Sequence, residues 1–317
     1  MKKWLSVLLA AVMALGVYAC AAAEDKVYQV GILQQLQHPA LDLATQGFKD
    51  ALTELLGDKV VIEEQNGSND QNNCNIIATN FVTAGKDLIM ANATTALQAC
   101  VNSTVNNPIP VLGTSITNYE TALDIELTDG ATGINVSGTS DLAPLDGQAA
   151  MVKELFPDAK TVGLLYCSAE PNSVFQVVNV RKYLEDMGYT CKDYSFTDSN
   201  DLPSVAQLAT ECDVIYIPTD NTAANNTEAI ANVVLPAKVP VIAGEEGICA
   251  GCGVATLTIS YYDIGYETGR MAYEILVNGA DVGTMAVRYA PQFSKKYNAA
   301  NAAELGVTIP ADYAPIE

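Results

Sequence analysis

One histidine, His38, and one tryptophan, Trp4, occur in 317 residues. A single imidazole excludes an HExxH zinc helix or any other histidine-rich metal site. No GxSxG nucleophile elbow and no GxxxxGK[ST] phosphate loop occurs, and His38, set between Gln37 and Pro39, has no context that makes a triad. Paired acids are present, as a glycosidase requires, but nothing in the sequence fixes their separation. Positive charge is also scarce. Sixteen Lys and Arg stand against 37 Asp and Glu, a net charge of -21. Nucleic acid is therefore not an expected partner, because neutralising phosphate needs clustered cations. The acidity reads as the solubility of an exported protein. Beyond the N-terminus no apolar run approaches the roughly 20 residues of a membrane span. The expectation is a non-enzyme without cofactor or metal.

The first 23 residues carry an export pattern: MKK is a basic start, an apolar run of sixteen follows, and small residues occupy Cys20 to Ala23. VYAC resembles the lipobox of bacterial lipoproteins, with Cys20 as the lipidated residue and Tyr18 where a small side chain is usual. The rival is ordinary cleavage after Ala23. Lipid anchoring to the outer face of the cell membrane is the expectation, with periplasmic or secreted protein as the alternative. Either cut leaves Cys74, Cys100, Cys167, Cys191, Cys212, Cys249 and Cys252, an odd number, so at least one lacks an intramolecular mate. Cys249 and Cys252 form a CxxC with no second CxxC and no nearby histidine to complete a zinc site. Gly247, Gly251 and Gly253 place this pair in a loop, where a local disulfide or two plain small residues fit better than a redox helix.

From Lys26 onward short β-rich runs alternate with amphipathic stretches, the pattern of parallel βαβ units in a doubly wound α/β fold. The pattern runs twice. Val30-Gly31-Ile32-Leu33 matches Val162-Gly163-Leu164-Leu165, and seven residues past each glycine stand His38-Pro39 and Glu170-Pro171. Asp87 and Asp213 open matching strands, with Thr94-Thr95 and Asp220-Asn221 seven residues on. Pro110 and Pro240 open another pair, with Ser115 and Glu245 five residues on. The period of about 130 residues is too long for a solenoid repeat and describes two α/β lobes. The expected division is a signal segment at 1–23, one lobe from 26–141 plus about 261–285, and another from 142–260 plus about 286–317. AVRYAP reads as the final strand. Three crossings between the lobes form a hinge.

In open parallel sheets ligands bind beyond the carboxyl ends of the strands, where all these landmarks fall. The first lobe offers hydroxyls, Thr94, Thr95 and Ser115, the threonines at a helix start that favours an anion. The second offers Glu170, Asp220 and Glu245. An α-amino acid bridges such a cleft, carboxylate to the hydroxyls and ammonium to the acids. Helix capping alone accounts for Thr94 and Asp220 separately, but not for the opposite polarity of the two sets. His38 faces Glu170 in this scheme, as a residue that shapes or touches the ligand.

VGILQQLQHPALD, SAEPNSV, YIPTDNT, VIAGEEG and NAANAAELGVTIP together resemble the ABC transporter substrate-binding proteins of the aromatic-amino-acid type, similar to tryptophan- and tyrosine-binding lipoproteins. The resemblance runs over nearly all of residues 26 to 310. It implies a type I periplasmic binding protein: two lobes closing on one aromatic amino acid, delivered to an ABC permease with its ATPase, and a monomer is the expectation. It places ligand contacts at Ala93 to Thr95, Ser115, Ser168 to Ser173 (including Glu170, Asn172 and Ser173), Asp220, Asn221 and Glu245. The sequence departs from the family at the Cys249–Cys252 loop and at Cys167. Leu36, Tyr119 and Tyr261 are the candidates to line an apolar pocket. The rivals are a sugar, nucleoside or signalling-molecule binder on the same fold, a transcription regulator, which would carry a helix-turn-helix before the first lobe, and an enzyme.

Overall fold

A computed structural model describes residues 26–316. Its strands assemble into two sheets whose core order is the same. In the first, β1 (Tyr28–Gln34), β2 (Val60–Asn66), β3 (Leu88–Asn92), β4 (Val111–Ile116) and β5 (Val136–Ser140) lie in the order β5-β4-β3-β1-β2. In the second, β6 (Thr161–Cys167), β7 (Thr190–Phe196), β8 (Val214–Ile217), β9 (Val241–Ala243) and β10 (Ala255–Thr258) lie in the order β10-β9-β8-β6-β7. All pairs within these two sets are parallel, with Val30 opposite Leu88 and Val162 opposite Val214. The doubled sequence pattern is thus a doubled topology.

Residue type decides position within each sheet. LIMAN in β3 and VIYI in β8 are buried throughout, as central parallel strands covered on both faces must be. The edge strands VVIEEQN and TCKDYSF carry exposed charged residues instead, which discourages further pairing. Helix α1 (Pro39–Leu56) and the late helix α11 (Tyr261–Leu276) pack together on the first sheet. Gly47 and Gly265 permit that crossing: a Cβ on Gly47 would strike the Tyr262 carbonyl oxygen, and one on Gly265 the Ala44 carbonyl oxygen. The contact buries Phe48 and Met271 completely against Val30 and Ile32, and each such side chain contributes about 1.5–3 kcal/mol. Any larger residue at Gly265 would force the two helices apart.

The end of the chain differs from expectation. Arg288–Tyr289, β11, is not a final strand of the second lobe but an edge strand of the first sheet, with Arg288 opposite Thr139 and Tyr289 opposite Ser140. The Arg288 guanidinium is tied to α11 through Glu267 and Glu274 at 2.6 and 2.7 Å, which holds this segment on the first sheet. Only then do β12 (Ser294–Tyr297), antiparallel to β10, and β13 (Ala314–Pro315) complete the second sheet. The chain therefore crosses between sheets after β5, after β10 and after β11. Cys20 and the export segment lie outside the described residues. No helix among the described residues is long and apolar enough to cross a membrane.

Candidate functional site

The carboxyl ends of both sheets meet at a buried polar cavity. Its walls are His38, Leu41, Ser115, Thr117 and Asp141 on one side, Asn172, Thr219, Asp220, Asn221, Ala224 and Glu245 on the other, and Tyr261 from the start of α11. The space is tight: only about 10 Å³ admits the centre of a water-sized sphere, room for about one water molecule. Side chains or whole lobes must move to admit anything larger. Glu245 and Tyr261 also wall a neighbouring groove of about 430 Å³ that is lined by Pro39, Leu43, Ile259 and Tyr262, among others.

Three carboxylates line the cavity without a lysine or arginine among them. Asp220 caps the short helix α8 (Asn221–Ala224), accepting from Ala223 N at 2.8 Å and from Cys167 N at 2.6 Å. Burial, and then the nearby charge of Glu170, raises its pKa well above the usual carboxylate range. Glu245 caps helix α10 (Glu246–Cys252) through Gly247 N and Ile248 N, and burial pushes it up to about 7. Asp141, immediately after β5, accepts from Thr117 Oγ1 at 3.1 Å and from Tyr261 OH at 3.0 Å, and burial raises it to about 6. At Asp220 and Glu245 capping and site roles coincide, and all three acids are anchored by donors of their own protein and still face the cavity.

Glu170 plays a different part. It does not line the cavity but sits behind it, 4% exposed, receiving Asn221 N, Asn221 Nδ2, Thr222 N, Thr222 Oγ1 and Asn172 Nδ2 at 2.7–3.1 Å. This one carboxylate fixes the two asparagines that do line it. Asn221 Oδ1 in turn lies 3.2 Å from His38 Nε2, and Asn69 Nδ2 lies 3.3 Å from Thr222 Oγ1, so the two sheets' loops are bridged twice at this point. His38 Nδ1, Ser115 Oγ and Asn172 Oδ1 are buried and have no hydrogen-bond partner in the protein. Ser115 sits at a bulge of β4 with φ 57°, a conformation a serine adopts at a cost and one typical of functional loops.

The structure thus brings His38, Ser115, Asn172, Asp220, Asn221 and Glu245 together. It leaves out the others. Thr94 and Thr95 begin helix α3 (Thr94–Thr104), but neither lines the cavity, and the Thr95 N–H is already taken by Gln35 Oε1 at 3.0 Å. Ser168 is exposed and bonds the Phe196 carbonyl, while Ser173, buried, accepts from Asn172 Nδ2 at 3.3 Å. The division into a hydroxyl lobe and an acid lobe is therefore incomplete, since Asp141 adds an acid on the side of the first sheet. Of the apolar candidates, Tyr261 is in the wall and Leu36 packs behind it with Leu41 and Ala93. Tyr119 is not: its hydroxyl is spent inside the first lobe on the Gly113 and Thr139 carbonyls. Sequence reasoning missed Leu41, Thr117, Asp141, Thr219 and Ala224.

The CxxC is likewise relocated. Cys249 and Cys252 are buried on α10, not in a loop, with burial raising both thiols. Gly251 is there for close packing, because a Cβ would collide with the Thr227 side chain. Neither cysteine lies at the helix start where a thiolate would be stabilised.

Two topologically equivalent sheets, joined by three crossings and enclosing a polar cavity at their carboxyl ends, define a two-lobed ligand-binding protein. Comparison with known proteins agrees. The model of the ABC transporter substrate binding proteins matches residues 29–313, and the chain belongs to that family. A tyrosine-binding protein of Clostridioides difficile is 33% identical over 304 residues, covering 90% of this chain and 87% of that one. A solved ABC domain from Streptococcus pneumoniae in complex with L-Trp superposes with a TM-score of 0.85 at 32% identity, covering 90% of this chain and 96% of that one. The ligand-free, open structure of a Clostridium difficile substrate binding protein with adhesive properties gives a TM-score of 0.71 at 33% identity, covering 92% and 99%. The fold is that of type I periplasmic binding proteins.

Proposed function

We propose that this protein captures one free α-amino acid with an aromatic side chain between its lobes and presents it to an ABC permease driven by a separate ATPase. The observation that carries this reading is the charge of the cavity: Asp141, Asp220 and Glu245 face it, and no lysine or arginine lines it. Buried acids without a cation call for one from outside, and an ammonium meets that need in the smallest space. Ser115 Oγ, free of partners, is the donor available to a carboxylate. The aromatic preference rests on the relatives, one named for tyrosine and one solved with L-Trp.

The three crossings, at residues 141–144, 259–260 and 290–293, act as the hinge. At nearly equal identity the structure overlaps the L-Trp complex better than the open, ligand-free relative, which supports a closed arrangement of these lobes. A cavity this tight then opens to load and closes around its ligand, the contacts to both lobes stabilising the closed state. The protein works outside the cytoplasm, held at the membrane by a lipid on Cys20, as a monomer. It performs no chemistry on the ligand. A thermal-shift screen of the twenty amino acids, with sugars and nucleosides alongside, tests the reading, because a ligand that binds the native state raises its apparent stability. Aromatic amino acids should give the largest rise; a rise with sugars or nucleosides alone would overturn it.

A further inference from the structure

We propose that His38 holds its single proton on Nε2, spends it on the bridge to Asn221, and offers the Nδ1 lone pair to a hydrogen-bond donor of the ligand. This rests on the amino-acid reading above and adds to it the polarity of one wall of the site.

The polarity follows from a chain of hydrogen bonds that begins at Glu170. A carboxylate that already receives five donors can only accept, so the Asn221 group 2.8 Å from Glu170 Oε2 is the amide nitrogen. Asn221 Oδ1 is then the atom turned to His38, 3.2 Å away, and an amide oxygen can only accept. The imidazole must therefore donate from Nε2. Burial lowers the pKa of the ring, so it carries one proton near neutral pH, and that proton is committed. Nδ1 is left as an acceptor, buried and without a partner in the protein, on a residue that lines the cavity and is 6% exposed. Asn172 repeats the logic: its Nδ2 faces Glu170 and the Thr219 carbonyl, leaving Oδ1 as a second unpartnered acceptor in the same wall.

His38 comes from the loop after β1 and Asn221 from the first turn of α8, which follows β8, so the bridge exists only when the lobes are together. Closure itself thus selects the tautomer that can accept from the ligand. A charged ammonium, a phenol O–H or an indole N–H satisfies Nδ1, whereas a group that only accepts, such as a carboxylate, is turned away from it.

The single histidine makes the test direct, because in untagged protein every imidazole signal belongs to His38. Nitrogen-15 NMR at pH 7 with a saturating aromatic amino acid should show a neutral ring protonated on Nε2, its N–H slow to exchange, and an Nδ1 signal that moves when ligand is added. A proton on Nδ1, a doubly protonated ring, or an Nδ1 signal unmoved by ligand overturns the proposal. His38→Phe keeps the bulk but has no acceptor and should raise Kd about tenfold, and His38→Gln should recover part of that loss. Wild-type affinity in His38→Phe also overturns it. Failure of every amino acid to stabilise the protein would instead sink the functional reading and the ligand half of this proposal, while the tautomer is read from the same sample on its own terms.

Discussion

Replacing Glu170 with glutamine removes the acceptor on which the back of the site is organised, and the cost can be worked from its partners. Thr222 N and Oγ1 reach Oε1, at 2.8 and 2.7 Å, and a glutamine oxygen placed there keeps both. The other position becomes an amide nitrogen facing three donors: Asn221 N, Asn221 Nδ2 and Asn172 Nδ2. Asn172 Nδ2 has a second acceptor in the Thr219 carbonyl at 3.0 Å, which leaves the two Asn221 donors stranded. A buried donor without a partner costs about 1–3 kcal/mol, so the gross loss is about 2–6 kcal/mol. Removing the charge also relieves repulsion on buried Asp220, which returns on the order of 1 kcal/mol. The net destabilisation of Glu170→Gln should be about 1–5 kcal/mol, a large share of the 5–15 kcal/mol that holds a typical protein folded. Urea unfolding at pH 7, followed by far-UV circular dichroism, measures it as a fall in the midpoint. A loss below about 1 kcal/mol would refute the claim that these donors depend on Glu170.

Other expectations follow from the same geometry. Burial raises Asp141 to about 6 and Glu245 to about 7, so in the ligand-free protein the stability associated with their protonated forms is present below the ordinary carboxylate range near 4 and is lost as pH rises through these values. A ligand ammonium favours the ionised forms; amino-acid binding should therefore release protons and tighten several-fold from pH 5.5 to 8. Calorimetry in buffers of different ionisation enthalpy checks this, and Asp141→Asn should flatten the dependence, since the Thr117 and Tyr261 hydroxyls can accept from the new amide. Binding that is indifferent to pH would show that these acids do not meet the ligand's charge. Among Cys74, Cys100, Cys167, Cys191, Cys212, Cys249 and Cys252, only Cys191 is partly exposed. A thiol reagent should label it alone, slowly, in native protein, and the others on unfolding; rapid labelling of Cys249 or Cys252 would contradict their burial on α10.

Much of this molecule is legible in the sequence because the chain states its plan twice. The doubling of one parallel βαβ pattern, and the placing of His38, Asp220, Asn221 and Glu245 just beyond strands, follow from matched landmarks after matched strands, a geometry that parallel βαβ units impose. Asp141 escaped notice because it lies on a crossing between lobes, where the landmark pattern has no entry and only the folded hinge brings Tyr261 to it. Thr94 and Thr95 misled because a helix start was expected to be open, whereas the Gln35 side chain had already closed it. At Gly247, Gly251 and Gly253 the signal was real but its meaning was not local: Gly251 serves a helix packed against Thr227, a tertiary fact that turn propensity does not encode. The misplaced Arg288–Tyr289 has the same origin, since two residues are too few to show which sheet they join.

The central claim is that three buried acids await the ammonium of a free amino acid, and isothermal titration with L-tyrosine and L-tryptophan beside their N-acetyl derivatives tests it most directly. Acetylation removes the positive charge and leaves the side chain and carboxylate unchanged. The account predicts saturable binding of at least one free amino acid and no measurable binding of its N-acetyl form. Equal affinity for the two, or tighter binding of the N-acetyl form, would contradict it.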